Sequence, residues 1–122
     1  MLVVRDTEIK GRGVFADRDF DQGEIIHIAP VIVVPKQQVK LIGKTVLCNY
    51  YFDWHGESCA IALGYASLFN HSYRPNAFYV KKFDEQVIEI IAHKYILQGQ
   101  EITVNYNGKV DDSTPIWFDA VD

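Results

Sequence analysis

Two short segments of the sequence concentrate side chains that could do chemistry. Residues 70–76 (NHSYRPN) place an amide, an imidazole and a hydroxyl in a turn directly after an apolar run. Residues 101–106 (EITVNY) alternate like a β-strand and deliver a tyrosine, Tyr106, at the strand's exit. His71 has the chemistry of a general base, a metal ligand or a hydrogen-bonding strut. Because no second histidine or carboxylate cluster lies at metal-ligand spacing from His71, the sequence predicts no metal site here.

A third segment, Gly11-Arg12-Gly13, carries two glycines near the start of the chain. Glycine adopts positive φ at no steric cost and allows a ligand to approach the backbone closely. The pair lacks a preceding strand and a following helix in the pattern, so it is not a dinucleotide-binding fingerprint. By itself the pair predicts only a tight turn.

In this order, the three segments resemble the SET-domain family of protein-lysine methyltransferases, in particular its small stand-alone viral and bacterial members, and the resemblance covers nearly the whole chain. It implies a mostly β fold, the β-clip, with several short sheets, one or two short helices and a C-terminal pseudoknot. It also implies an enzyme, a protein-lysine N-methyltransferase that moves a methyl group from S-adenosylmethionine to the ε-amine of a lysine in a histone-like or other basic protein. Residues 1–108 would form the SET domain, and residues 109–122 an aromatic tail that folds back on it.

The resemblance also implies roles for individual residues. Tyr106 is expected to be the catalytic residue at the end of the cofactor pocket. The residues expected to bind the cofactor are Gly11, Arg12, Gly13, Asn70, His71, Tyr106, Trp117 and Phe118. The residues expected to line the substrate-lysine channel are Tyr50, Tyr51, Tyr79 and Val104. Tyr79 is expected to crowd this channel and to favour mono- or dimethylation. Trp117 and Phe118 are expected to cover either the adenine or the lysine, since the chain lacks the cysteine-rich zinc module of many relatives.

Elements that must position these residues are mostly β-strands. Branched and aromatic residues predict strands at 2–5, 14–18, 24–34, 59–63, 76–83, 86–92 and 101–105, with turns between them. One helix is predicted from Lys36 to about Tyr51, short or broken because Gly43 lies in its middle. A second helical turn is predicted at residues 65–69.

Composition limits the remaining choices. The chain has 122 residues, enough for one domain with a modest core, and a formal net charge of −4, which favours a basic protein partner over a nucleic acid. No apolar run approaches the roughly 20 residues of a membrane span, and the first residues do not resemble a signal peptide. We therefore expect a soluble, intracellular protein, cytoplasmic or nuclear (in a host cell for a viral or secreted protein). Cys48 and Cys59 are expected to be buried free thiols, and a homodimer stays open.

Two other functions stay open at this point. The first is a non-catalytic SET-like module that binds a peptide or the cofactor without turnover. The second, without reference to any family, is a small β-barrel that binds carbohydrate or single-stranded nucleic acid through exposed aromatic residues.

Overall fold

The computed structural model describes residues 2–117, which form nine strands in two sheets. The strands are β1 (Leu2–Asp6), β2 (Arg12–Ala16), β3 (Ile25–Val34), β4 (Phe52–Asp53), β5 (Cys59–Ala62), β6 (Asn70–His71), β7 (Ala77–Lys82), β8 (Val87–Ala92) and β9 (Glu101–Val104). The mostly β architecture agrees with the sequence prediction. Within residues 2–117, no helix is long and apolar enough to cross a membrane.

The first sheet has the strand order β1-β2-β9-β6. Its pairs are antiparallel except β6 and β9, which run parallel with Asn70 opposite Thr103 and His71 opposite Val104. Strands that are far apart in the sequence thus bring the two chemistry-bearing segments side by side. This is the region in which the C-terminal pseudoknot is expected, because the chain that follows β9 returns past the residues around β6.

The second sheet has the order β4-β5-β3-β8-β7, with every pair antiparallel. Side chains alternate strictly between buried and half-buried along β8, as expected for a strand with one face on the core. The largest fully buried side chains come from both sheets and their connections: Phe20, Phe69, Ile88, Ile90, Ile96 and Ile102. A backbone bridge between Phe20 and Ile96 joins the turns beside the two sheets.

The region predicted as one helix is broken into three short pieces, as Gly43 led us to expect. They are a 3₁₀ turn at Lys36–Gln38, helix α1 at Val39–Ile42 and a second 3₁₀ turn at Val46–Asn49. Gly43 ends α1, and none of these pieces buries a residue. The predicted turn at 65–69 is a 3₁₀ turn at Ala66–Leu68.

Three expectations from the sequence need correction. Strand β2 begins at Arg12 instead of Val14, so that Gly13 belongs to the strand and lies opposite Arg5. The two-residue strands β4 and β6 were not predicted, because two residues are too few to carry a period-2 pattern. Cys59 is a buried free thiol as expected, but Cys48 is exposed, since the segment around it buries nothing.

Candidate active site

Tyr106 is held at both ends by the segment that contains β6. Its backbone N–H donates to Nδ1 of His71 at 3.0 Å, and its hydroxyl donates to the backbone oxygen of Phe69 at 2.7 Å. His71 is only 4% exposed and forms edge-to-face contact with Tyr73. The parallel β6–β9 pair therefore fixes the phenol beside residues 69–71, the neighbourhood that the sequence predicted for it.

Two half-buried phenols lie close together at this point. The Tyr79 hydroxyl donates to the backbone oxygen of Tyr106 at 3.2 Å. Burial raises the pKa of Tyr106 to about 12, and burial together with nearby Asp53 raises the pKa of Tyr79 to about 12. Both hydroxyls are therefore neutral at physiological pH, and neither is a general base for a lysine ammonium there.

A cavity of about 330 Å³, here called the aromatic cavity, opens beside these phenols. Its walls combine aromatic rings with a few polar groups, and one wall carries a lysine. The lining residues are Cys48, Asn49, Tyr51, Phe52, Asp53, Ala66, Ser67, Phe69, Tyr79, Lys81, Val104, Tyr106 and Trp117. Ring faces bind ammonium and alkylated ammonium groups, so the cavity suits the end of a lysine side chain.

A second, smaller cavity of about 140 Å³, here called the glycine cavity, also has Tyr106 in its lining. It is lined by Lys10, Gly11, Arg12, Tyr50, Ser67, Leu68, Asn70 and Tyr106. Gly11 has φ of +71°, which favours glycine at this turn. Ser67 and Tyr106 line both cavities, so the phenol of Tyr106 stands at the boundary between them.

Asn70, in the wall of the glycine cavity, packs closely against Glu101 and Gly13. Asn70 Nδ2 donates to the backbone oxygen of Arg12 at 3.0 Å and to Oε2 of Glu101 at 2.7 Å. A Cβ atom added to Gly13 would lie 2.8 Å from Asn70 Nδ2 and closer still to Glu101 Oε2. The Asn70 and Glu101 side chains thus occupy the space that a side chain at residue 13 would fill, and glycine at this position lets Asn70 reach the cavity. The combination of a glycine backbone, an amide and two basic side chains fits a ligand with polar and anionic groups.

Asn76 anchors this arrangement from behind. Its Nδ2 donates to the backbone oxygen of Glu101 at 2.9 Å, and its Oδ1 accepts from the backbone N–H of Thr103 at 2.9 Å. The amide therefore imitates a neighbouring strand for β9. This explains physically why an asparagine ends the loop at residues 70–76.

The chain after β9 turns back over the site. Asn105 Nδ2 donates to the backbone oxygen of Asp112 at 2.6 Å, and the backbone oxygen of Thr114 accepts from Asn107 Nδ2 at 2.7 Å and from the Tyr73 hydroxyl at 3.2 Å. The indole of Trp117 stacks on the ring of Tyr106, with centroids 5.5 Å apart and planes inclined by 13°. The tail thus packs against the body, although Trp117 keeps 63% of its surface exposed.

The structure brings together most of the residues that the sequence singled out. Tyr51, Tyr79, Val104 and Trp117 line the aromatic cavity with Tyr106, whereas Gly11, Arg12 and Asn70 line the glycine cavity. Tyr50, which we expected in the lysine channel, lines the glycine cavity instead. His71 and Gly13 lie behind the cavity walls and support them, and Phe118 lies outside the described residues.

Several residues in or against the two cavities were not predicted as site residues, and the polar ones include Lys10, Asp53, Ser67, Lys81 and Glu101. Glu101 lies in the segment 101–106 and Ser67 in the helical turn predicted at 65–69. Their nearness to Asn70 and Tyr106 could therefore have been predicted from the sequence. Lys81 is two residues after Tyr79 on β7, and the period of a strand puts both side chains on the same face. Among residues 2–117, no group of three or more histidine, cysteine or carboxylate side chains is arranged to hold a metal ion.

Comparisons with known proteins agree with this geometry. The family model described as SET domain matches residues 11–107. A Schizosaccharomyces pombe protein named histone-lysine N-methyltransferase, H3 lysine-37 specific, is 33% identical over 119 residues, which cover 97% of this chain and 77% of the relative. An H3 lysine-36 specific enzyme of Eremothecium gossypii is 37% identical over 87% of this chain, but that match spans only 17% of the relative.

A solved structure also resembles this chain in fold. A Plasmodium falciparum protein assigned as a histone methyltransferase superposes with a TM-score of 0.72 at 25% sequence identity. The match covers 89% of this chain and 99% of that structure.

Proposed function

The chain belongs to the SET-domain family, and from this premise we propose that it transfers a methyl group from S-adenosylmethionine to the ε-amine of a lysine in a basic protein. The observation that carries the proposal is that the two cavities meet at Tyr106. A methyl donor and a methyl acceptor must approach one another in line, and two cavities that share the wall residues Ser67 and Tyr106 suit that arrangement.

Within this proposal, the glycine cavity holds the cofactor. The backbone of Gly11 and Arg12 and the basic side chains of Lys10 and Arg12 supply donors and positive charge for its polar and carboxylate groups. The Asn70 amide, whose two N–H groups donate to Arg12 and Glu101, supplies an acceptor oxygen. When bound, S-adenosylmethionine supplies an electrophilic methyl group on a positively charged sulfur. His71 and Gly13 contribute by holding Tyr106 and Asn70 in place.

The aromatic cavity accepts the target lysine. A free lysine has a pKa of about 10.4 and is almost entirely an ammonium at neutral pH, whereas only the neutral amine can accept a methyl group. Ring faces of Tyr51 and Tyr79 attract the incoming cation. Burial then disfavours the charged form, so that the proton leaves to water before transfer.

Tyr106 positions the reacting groups and takes no proton. Its hydroxyl hydrogen is donated to the backbone oxygen of Phe69, and a phenolic oxygen acts as an acceptor through its lone pairs. Polarised C–H groups make weak hydrogen bonds to such acceptors. Tyr106 is therefore proposed as the catalytic residue, one that aligns the methyl group for attack.

The substrate class follows from the relatives and from charge. Both fungal relatives are named for lysines of histone H3, and the net charge of −4 suits a basic tail. We propose histone H3 or a similar basic protein as the target, with mono- or dimethylation because Tyr79 narrows the cavity. In this account residues 1–108 are the catalytic domain, residues 109–122 are a tail that covers the lysine side of the site, and the protein acts inside the cell.

Two measurements on the full chain test the proposal. Thermal denaturation should shift to higher temperature with S-adenosylmethionine or its demethylated product, because a ligand of the folded state stabilises it. Incubation with recombinant histone H3 should then give mono- or dimethyl-lysine by mass spectrometry. Stabilisation without methylated lysine would instead favour a non-catalytic module, and the absence of both would contradict the proposal.

A further inference from the structure

Lys81 is a charged side chain in the wall of the aromatic cavity. It lies on β7 opposite Ile88 of β8, two residues after Tyr79, and it is half-buried. A lysine is an unusual lining for a cavity that receives another lysine, because two ammonium groups repel one another in a poorly hydrated space.

Contacts on two sides fix the Lys81 ammonium. Its Nζ donates to the backbone oxygen of Asp53 at 2.6 Å and lies 5.9 Å from the ring centroid of Tyr79. Burial lowers the pKa of Lys81, and the Asp53 carboxylate acts against that change. When the target lysine and Lys81 are both in this cavity, the Lys81 ammonium is stabilised by its short hydrogen bond and by the nearby carboxylate. The target ammonium is therefore the one that loses its proton.

We propose that Lys81 controls the protonation state of the target lysine. Its positive charge repels the target ammonium and thereby favours the neutral amine that can accept a methyl group. This inference rests on the proposed function. It means that a side chain of the protein helps to lower the pKa of the target lysine. A sphere with the volume of this cavity, about 330 Å³, would be roughly 9 Å across, which sets the scale of the separation between Lys81 and a bound amine. At about 8 Å and an effective dielectric constant of about 20, like-charge repulsion increases the neutral fraction roughly 30-fold.

Among the other titratable groups around Lys81, the Asp53 carboxylate opposes this effect, and the two phenols described above do not. The groups that share the cavity with it are Asp53 on β4, Cys48 and Tyr51 before β4, Tyr79 on β7 and Tyr106 after β9. The two phenols with raised pKa values, Tyr79 and Tyr106, carry no charge at neutral pH. The Asp53 residue is exposed, so water and salt screen its carboxylate more than the half-buried ammonium.

The decisive experiment compares Lys81→Met with Lys81→Arg, which keeps the charge, and with Lys82→Met, a matched change at the next residue of β7. The rate of methyl transfer to recombinant histone H3 is measured from pH 6 to pH 10 on full-length protein. Lys81→Met should lose about 10- to 30-fold at pH 7 and move its acid limb by about one pH unit or more upward, approaching the wild-type rate at high pH. Lys81→Arg and Lys82→Met should keep the wild-type profile.

A binding measurement supplies a readout that does not depend on turnover. Histone H3 peptides spanning lysine-36 and lysine-37 are titrated into the protein at pH 7, with lysine or uncharged norleucine at each position. Removing the Lys81 charge should favour the charged side chain, so Lys81→Met should raise the affinity for the lysine peptide relative to the norleucine peptide about tenfold over wild type. A ratio of lysine-peptide to norleucine-peptide affinity that is the same in Lys81→Met as in wild type, together with an unchanged pH profile, would overturn the role of Lys81. A wild-type protein that methylates no histone would instead contradict the proposed function.

Discussion

Replacement of Gly13 by alanine should damage the glycine cavity more than any other single added methyl group in this region. The backbone of Gly13 tolerates alanine, since its φ is not positive, so the effect comes entirely from crowding. The new Cβ would lie 2.8 Å from Asn70 Nδ2, against 3.4 Å for an ordinary contact, and nearer still to Glu101 Oε2. The ends of the Asn70 and Glu101 side chains must therefore shift, which disturbs the 2.7 Å hydrogen bond that joins them.

The magnitude follows from what this separation breaks. A hydrogen bond to a charged group is worth about 1.5–3 kcal/mol of the free energy of unfolding. For a domain of this size, that corresponds to a fall in melting temperature of roughly 6–12 °C. Since Asn70 is also in the cavity wall, affinity for the demethylated cofactor product should fall in parallel.

The assay is thermal and denaturant unfolding of Gly13→Ala, together with calorimetric titration of the demethylated product. Gly43→Ala is the matched control, because a Cβ there has no neighbour closer than 3.5 Å and the residue ends a helix at ordinary backbone angles. We expect that control to be neutral or stabilising by up to about 1 kcal/mol.

A double-mutant cycle decides whether crowding is the cause. Glu101→Ala removes the atom nearest to the new methyl group, so Gly13→Ala in that background should cost less than in wild type by about 0.5–3 kcal/mol. Strict additivity of the two changes would refute the reasoning, as would wild-type cofactor affinity in Gly13→Ala.

Three further predictions follow from other contacts. His27 accepts a hydrogen bond from the backbone N–H of Tyr65 at 3.2 Å, and burial lowers its pKa below the ordinary 6.5. Its contribution to stability is therefore fully present above pH 6.5 and is lost as the pH falls from 6.5 through the lower pKa of the folded state, so the stability difference between pH 5 and pH 8, measured by denaturant unfolding, should be smaller in His27→Gln. Tyr79→Phe removes the donor to the backbone oxygen of Tyr106 and should lower the free energy of unfolding by about 1 kcal/mol. It should also raise the share of higher methylation states in mass spectra, and an unchanged product distribution would show that Tyr79 does not narrow the cavity. A chain that ends at Asp112 loses the indole stacked on Tyr106 and should turn over more slowly, whereas unchanged turnover and cofactor affinity would show that the tail has no part in the site.

Several features of the fold were predictable because they depend on local pattern. The long strands alternate or are rich in branched residues, and the break at Gly43 follows from helix propensity. The nearness of Tyr106 to Asn70 was also expected, although only the resemblance to a known family supplied it. A parallel pair between β6 and β9 joins residues more than thirty positions apart, and no local periodicity predicts such a pairing.

Details of the site depended on packing that the sequence does not encode locally. Tyr50 and Tyr51 are neighbours, yet they line different cavities, because the chain between the helical pieces and β4 turns between them. Lys81 would ordinarily be read as a solvent-facing residue of an edge strand. Its place in the cavity wall depends on β4, whose two residues gave no signal of their own.

The central claim is that Tyr106 aligns a methyl group between two cavities, and labelled methyl transfer to histone H3 tests it most directly. Tyr106→Phe is compared with Tyr73→Phe, which removes another hydroxyl that donates to a backbone oxygen nearby. The account predicts that label appears on lysine with wild type and Tyr73→Phe and falls at least 100-fold with Tyr106→Phe, on the scale of losing one aligned group. Equal labelling by wild type and Tyr106→Phe would contradict it.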